Sequence, residues 1–179
     1  FAAFRALHAA RIARGSLDLD LPERQVTLDA AGRVSAVLPR PRLESHRLIE
    51  EFMIAANVAA AETLEKLHEP CMYRIHDQPT PDKLEALREV LDGLDIHLAK
   101  GQAVRPQFFN RVLAQTRDTP YFRMVNDLIL RSQAQAVYSP KNIGHYGLAL
   151  RRYAHFTSPI RRYSDLLVHR ALIRGLRAS

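Results

Sequence analysis

The residues best suited to chemistry lie near the C-terminus, in His155-Phe156-Thr157-Ser158-Pro159-Ile160-Arg161-Arg162-Tyr163-Ser164-Asp165-Leu166. Thr157 and Ser158 followed by Pro159 read as a helix start: a hydroxyl cap, then proline at the first helical position. Arg161 and Arg162 then fall inside the first turn. The helix macrodipole is positive at that end, so two cations are misplaced there unless an anion joins them. Guanidinium forks beside a helix N-terminus suit a phosphate, and the phosphate of a nucleic acid is the natural candidate. The competing reading is a salt bridge along the helix to Asp165, four residues past Arg161 and three past Arg162. Such a pair contributes only ~0.2–0.5 kcal/mol, and less in this order.

Other groups cluster upstream. His145-Tyr146-Gly147 and Tyr153-Ala154-His155-Phe156 interleave aromatic rings and histidines with basic residues. That mixture suits single-stranded nucleic acid, where bases stack and phosphates meet cations. The plainer alternative is that Tyr153 and Phe156 pack in the core. The two histidines lack further ligands at metal spacing, so no zinc site is expected. Glu50 and Glu51 interrupt an apolar helical stretch, and neighbouring residues point about 100° apart, so at least one meets a buried surface. A buried carboxylate needs a partner. One of the late arginines is a candidate, through an internal salt bridge. The other reading is a hydrogen bond to a ribose hydroxyl near those arginines. Asp18 and Asp20 share a strand face, but the only further acid is Glu23, beyond Pro22. No metal site is expected there.

The charge is concentrated around the arginine pair. The chain has 179 residues and a formal net charge of +7. Residues 140–179 hold eight Lys/Arg (Lys141, Arg151, Arg152, Arg161, Arg162, Arg170, Arg174 and Arg177) and one acid, Asp165, which accounts for the whole excess. A polyanionic partner follows from that map, with a merely solvated basic tail as the alternative. With 47% hydrophobic and 25% charged residues, the composition is that of an ordinary soluble globular domain with a core. No apolar run is long enough to cross a bilayer, and no signal-peptide pattern is present. A lone Cys71 excludes an internal disulfide and fits a reducing compartment such as the cytoplasm. The start at Phe1 rather than methionine is expected of a piece of a longer protein.

The elements that must position these groups are mainly helical. Residues 2–14 read as an amphipathic helix ending at Gly15. Residues 25–29 and 33–38 alternate apolar and polar about Ala30-Ala31-Gly32, which signals a hairpin. Residues 44–67 carry the longest helical pattern, Ala-rich in its middle, and read as a central, largely buried helix. Residues 72–76 are short and extended. Further helices are expected from Thr80-Pro81 to Gly93, from Arg105-Pro106 to Arg117, and from Phe122 to Val137. Residues 144–150 and 153–156 look extended. The last helix is expected from Pro159 to Gly175, with Ile160, Tyr163, Leu167 and Ala171 on its apolar stripe. The fold class is α+β: mainly helical, with a long central helix and a few short antiparallel strands.

Two of these segments resemble a known family. Gly144-His145-Tyr146-Gly147-Leu148-Ala149-Leu150, with Tyr153 to Tyr163 and Asp165-Leu166, is similar to the signature of the ribonuclease II / ribonuclease R family. His46 to Asn57 resembles that family's central helix, and Tyr73-Arg74-Ile75-His76-Asp77 the stretch after it. The pattern is closer to the ribonuclease R branch and covers most of the chain. The resemblance implies a hydrolytic, processive 3′-to-5′ exoribonuclease that takes the 3′ end of single-stranded RNA and releases nucleoside 5′-monophosphates with Mg²⁺. It places Arg161 on the family's catalytic arginine, which contacts the scissile phosphate. It places Glu50 or Glu51 where terminal nucleotides are held. Arg162, His145, Tyr146, Tyr163, Thr157 and Ser158 are then expected to bind RNA.

Two departures qualify the likeness. The family's aspartate cluster, which holds Mg²⁺, has no counterpart here, and the flanking cold-shock and S1 domains are missing. Leu19 stands near where relatives place a base-stacking aromatic. Residues 1–179 are therefore expected to be the C-terminal part of an RNB catalytic domain, without bound metal, inactive alone and prone to self-association. The rival reading is a non-catalytic single-stranded RNA-binding module. A third is a helical scaffold with incidental charge.

Overall fold

The computed structural model describes residues 2–19, 24–40, 43–98 and 104–177. In chain order the elements are α1 (Ala2–Arg14), β1 (Arg24–Leu28), β2 (Val34–Pro39), α2 (Glu44–Lys66), β3 (Tyr73–Ile75), α3 (Pro81–Asp92), α4 (Pro106–Thr116), α5 (Phe122–Ser132), β4 (Val137–Ser139) and α6 (Tyr163–Leu176). The architecture is α+β, with two small antiparallel pairs, β1–β2 and β3–β4. Among the described residues no helix is long and apolar enough to cross a membrane.

Two apolar clusters hold the elements together. In the first, Leu87 and Leu91 of α3 meet Phe109, Val112 and Leu113 of α4 and Val125 and Ile129 of α5. Fully burying one such side chain contributes about 1.5–3 kcal/mol. In the second, Ala60, Ala61 and Leu64 of α2 face Val168 and Ala171 of α6, with Tyr73 and Ala154 between them. The small side chains explain how α2 and α6 approach closely. The segment from Gly144 to Phe156 joins the clusters: Tyr146 packs on the first and Phe156 on the second.

Helix starts follow local chemistry. Thr80 caps α3 by accepting from the Lys83 N–H, and Pro81 stands at the first helical position. Pro106 opens α4 in the same way, without a side-chain cap.

Four expectations need correction. The helix expected to reach Val137 stops at Ser132, because Gln133 turns to an extended conformation (φ −64°, ψ 150°). Val137 instead pairs with Ile75 in the β3–β4 ladder. Residues 144–150 are a tight loop closed by bridging between His145 and Leu150, not an extended stretch. Gly144 sits at φ +83°, and a Cβ there would lie 2.9 Å from the Leu150 carbonyl oxygen. The N-terminal half of α2 is buried on one side only: Glu51 and Ile54 are buried, but Ile49, Phe52 and Met53 are 55%, 44% and 40% exposed. The last helix begins at Tyr163, so Ile160 and Tyr163 are exposed, and its buried face is Asp165, Val168 and Ala171.

Candidate nucleic-acid interface

Residues 157–162 form a turn ahead of α6 rather than its first turn. The Ser158 carbonyl accepts from the N–H groups of Arg161 (3.3 Å) and Arg162 (3.1 Å). Arg162 is the N-cap residue, in an extended conformation (φ −128°, ψ 116°) with no side-chain cap bond of its own. The two arginines therefore stand at the mouth of the helix rather than inside it.

Asp165, in the first turn of α6 and fully buried, organises the 157–162 turn. Its carboxylate accepts from Arg162 Nε (2.9 Å) and Nη2 (2.7 Å), from the Ser158 N–H (2.8 Å) and from the Ser164 hydroxyl (3.1 Å). Burial alone raises its pKa, but the Arg162 fork and the Ser158 N–H outweigh that and hold it below the ordinary value. The salt-bridge reading is thus correct for Arg162, in a bidentate and buried form well beyond a helical surface pair. Arg161 differs. It is exposed, and among the described residues its guanidinium has no hydrogen bond or ion pair.

A second anchor comes from α2. Asn57 is buried; its Nδ2 donates to the Tyr153 hydroxyl (3.0 Å) and its Oδ1 accepts from the Phe156 N–H (2.9 Å). His169 of α6 stacks on Phe156, with ring centroids 4.2 Å apart, and its Nε2 donates to the Phe156 carbonyl (2.8 Å). Tyr153 and Phe156 pack inside, as the plainer reading held, and they hold the chain that carries Thr157 and Ser158 into the turn.

Glu51 is buried, and Arg11 Nη1 of α1 lies 3.1 Å from its carboxylate. This corrects the expected late-arginine partner. Glu50 is more exposed, 3.9 Å from the same Arg11 nitrogen. The basic C-terminal excess is also partly paired: Arg152 bonds Glu65 and Arg174 bonds Glu69. Among the described residues, Lys141, Arg151, Arg161, Arg170 and Arg177 have no ion pair.

His145 and Tyr146 do not join the arginine pair. They line a cleft of about 620 Å³ whose walls include neither Arg161 nor Arg162. Tyr163 instead borders a smaller apolar pocket of about 350 Å³ with Tyr138, Arg162 and Leu167. Asn57 and Arg11 were missed in the sequence reading. An uncharged amide inside an apolar helix stripe is the signal that pointed to Asn57, and nothing marked Arg11 out from its neighbours.

Three imidazoles lie behind the turn. His76 Nδ1 accepts from the Gly147 N–H (2.9 Å), so Nε2 carries the proton and donates to the Ala134 carbonyl (2.9 Å). His145 Nδ1 accepts from the Leu148 N–H (3.2 Å). His155 Nδ1 lies 2.8 Å from the Tyr138 hydroxyl. Burial, then the neighbouring His76, push the His145 pKa down to about 3. Burial, then the Arg162 charge, lower His155 to about 4. His76 is lowered too, chiefly by burial.

Magnesium does not fit these residues. Among those described, no three His, Cys, Asp or Glu side chains are grouped to hold a metal ion. Asp18 is exposed, and its main-chain N–H donates to Asn110. Asp20 and Glu23 lie outside the described residues.

A family model described as "RNB domain" matches residues 2–178. The chain is 45% identical over 174 residues to ribonuclease R of Aquifex aeolicus, spanning 97% of this chain and 25% of that protein. It is 41% identical to ribonuclease R of Escherichia coli, spanning 94% of this chain and 21% of that one. Among solved structures, Mycoplasma genitalium RNase R in complex with ribose-methylated single-stranded RNA superposes with a TM-score of 0.89 at 30% identity, covering 98% of this chain and 28% of that one. The chain thus spans about a quarter or less of the curated relatives it matches.

The neutral imidazoles set an acid sensitivity. Below the unfolded histidine pKa of 6.5 the unfolded chain takes up protons that folded His145 and His155 refuse until about 3 and about 4. Their stabilisation is complete above that pH and is lost as pH falls through the interval. Exposed His97, raised by Asp92, opposes this weakly. Urea unfolding should show a lower midpoint at pH 5 than at pH 7.5, a window above most carboxylate titrations. An unchanged midpoint would contradict the buried, neutral assignment.

Proposed function

This chain belongs to the RNB domain family, and we propose that it forms the C-terminal part of the catalytic domain of a ribonuclease R-type enzyme. On this reading the parent protein hydrolyses RNA from its 3′ end in the cytoplasm and releases nucleoside 5′-monophosphates. The aspartate-bearing part of the domain and the flanking cold-shock and S1 domains belong to the parent. On the same reading magnesium is held there.

The observation that carries the proposal is the contrast within the arginine pair. Arg162 is consumed by buried Asp165, whereas Arg161 projects from the same braced turn with its fork open. A planar, permanently charged fork on a fixed backbone is suited to charge developing on phosphate oxygens in the transition state. We assign Arg161 the scissile phosphate. Arg162 holds the turn, and half-buried Thr157 and Ser158 with exposed Tyr163 face the strand. Of the two acids, Glu50 is the more exposed and is assigned to a terminal ribose, with Glu51 behind it on Arg11. His145 and Tyr146 meet RNA at a separate position, in the larger cleft. Exposed Ile49, Phe52 and Met53 on one side of α2 support self-association of the isolated chain.

In the parent enzyme, Arg161→Ala should lower single-turnover cleavage by about 10²–10³-fold, the scale for losing one transition-state donor. RNA affinity should change only a few-fold, because other contacts carry ground-state binding. Equal losses in rate and affinity would contradict the assignment. The isolated chain should leave a 5′-labelled oligoribonucleotide intact with Mg²⁺. Robust digestion by a clean preparation, abolished by a chelator, would overturn the division of the site.

A further inference from the structure

A cleft of about 620 Å³ lies between the end of α1, the start of α4 and the 144–150 loop, away from the arginine pair. Three guanidiniums line it: Arg14, Arg105 and Arg151. Arg14 Nε donates to the Leu148 carbonyl (2.9 Å), which fixes the side chain, yet its Nη2 is buried with no hydrogen-bond partner. A buried unsatisfied donor on a charged group is costly, so it marks a place where an acceptor belongs. Arg105 and Arg151 are exposed, and among the described residues neither guanidinium has a hydrogen bond or ion pair. Arg105 is also the N-cap residue of α4, an 11-residue helix whose N-terminus has no side-chain cap. Its open N-terminal end adds positive potential to the cleft.

The opposing charge is small. Asp77 is the one acid in the lining, and its carboxylate already accepts from the Gln78 N–H (2.8 Å). Burial lowers the pKa of Arg14, and the nearby Glu51 only partly offsets it, so an added anion there is favoured. The cleft, at about 620 Å³, is also far larger than a bare phosphate needs. Tyr146 and His145 supply ring surface in its lining, and Tyr146 is held by donating its hydroxyl to the Val104 carbonyl. Cations from three sides of the cleft, with rings in its lining, match the two halves of a nucleotide.

We propose that this cleft is a second nucleotide site, with the phosphate on Arg14, Arg105 and Arg151 and the base over Tyr146 and His145. It rests on the reading of His145 and Tyr146 as RNA contacts, and needs neither Arg161 nor hydrolysis. The phosphate can come from a free mononucleotide or from one unit of a strand.

Calorimetric titration of the 179-residue chain with inorganic phosphate, a nucleoside 5′-monophosphate and a four-nucleotide single-stranded oligoribonucleotide separates these sources. The variants are Arg105→Ala/Arg151→Ala, whose side chains are exposed and unbonded, and Arg161→Ala. Thermal melting of each verifies the fold. Mononucleotide binding weakened at least tenfold by the double variant, and less than twofold by Arg161→Ala, supports the site and a free nucleotide as ligand. Oligonucleotide binding alone, weakened in the same pattern, supports the site with a strand as ligand. Binding unaffected by the double variant, no binding of any probe at millimolar concentration, or inorganic phosphate binding as tightly as the mononucleotide overturns the proposal.

Discussion

The bidentate pair between Arg162 and buried Asp165 is the interaction on which the arginine-bearing turn depends. Asp165 is fully buried, so its charge is tolerable only because a guanidinium, a main-chain N–H and a hydroxyl all reach it. Leaving such a carboxylate unpaired typically costs about 3–5 kcal/mol. The same carboxylate takes the Ser158 N–H, which joins residue 158 to residue 165 and so closes the turn on itself. Arg161, between the anchors, has its backbone fixed while its side chain stays unbonded. A rigid backbone beneath an open fork is what a phosphate-binding arginine requires.

The turn is braced from outside as well. Asn57 pins both Tyr153 and Phe156 to α2, and His169 holds the Phe156 carbonyl from α6. Upstream, His76 carries one proton between two backbone groups, accepting from Gly147 and donating to Ala134. That bridge works only for a neutral ring. Protonating Nδ1 removes the acceptor, and burial already opposes it. Gly147 is part of the arrangement, because a Cβ there would lie 3.0 Å from His76 Nδ1. Asn57 and His169 thus tie the 153–156 segment to α2 and α6, and His76 ties the 144–150 loop to residue 134 after α5.

Much of this was legible in the sequence, and the misses have physical causes. Helix starts at Thr80-Pro81 and Arg105-Pro106, and the hairpin about Gly32, depend on local chemistry and stand where residue types put them. The start at Ser158-Pro159 looked equally local. It was displaced by Asp165, which from within the helix takes the Ser158 N–H and makes 158–162 a separate turn. The end of α5 moved for a similar reason, since Val137 pairs with a strand some sixty residues earlier in the chain. The charge map was sound as a sum and incomplete as geometry: Glu65 and Glu69, distant in sequence, neutralise Arg152 and Arg174. Glu51 needed a partner, as burial demanded, but only the packing of α1 on α2 identifies Arg11. The exposed apolar positions of α2 follow no local rule and reflect what packs beside that helix.

The central claim is that Arg162 acts on catalysis only by positioning Arg161. A double-mutant cycle of Arg161→Ala and Arg162→Lys in the parent enzyme, read by single-turnover RNA cleavage, tests it most directly. Lysine keeps the charge opposite Asp165 but loses the bidentate fork. The account predicts strong non-additivity: Arg162→Lys slows cleavage in the wild-type background and costs nothing further once Arg161 is alanine. Additive losses would mean that the two arginines act independently, and would contradict it.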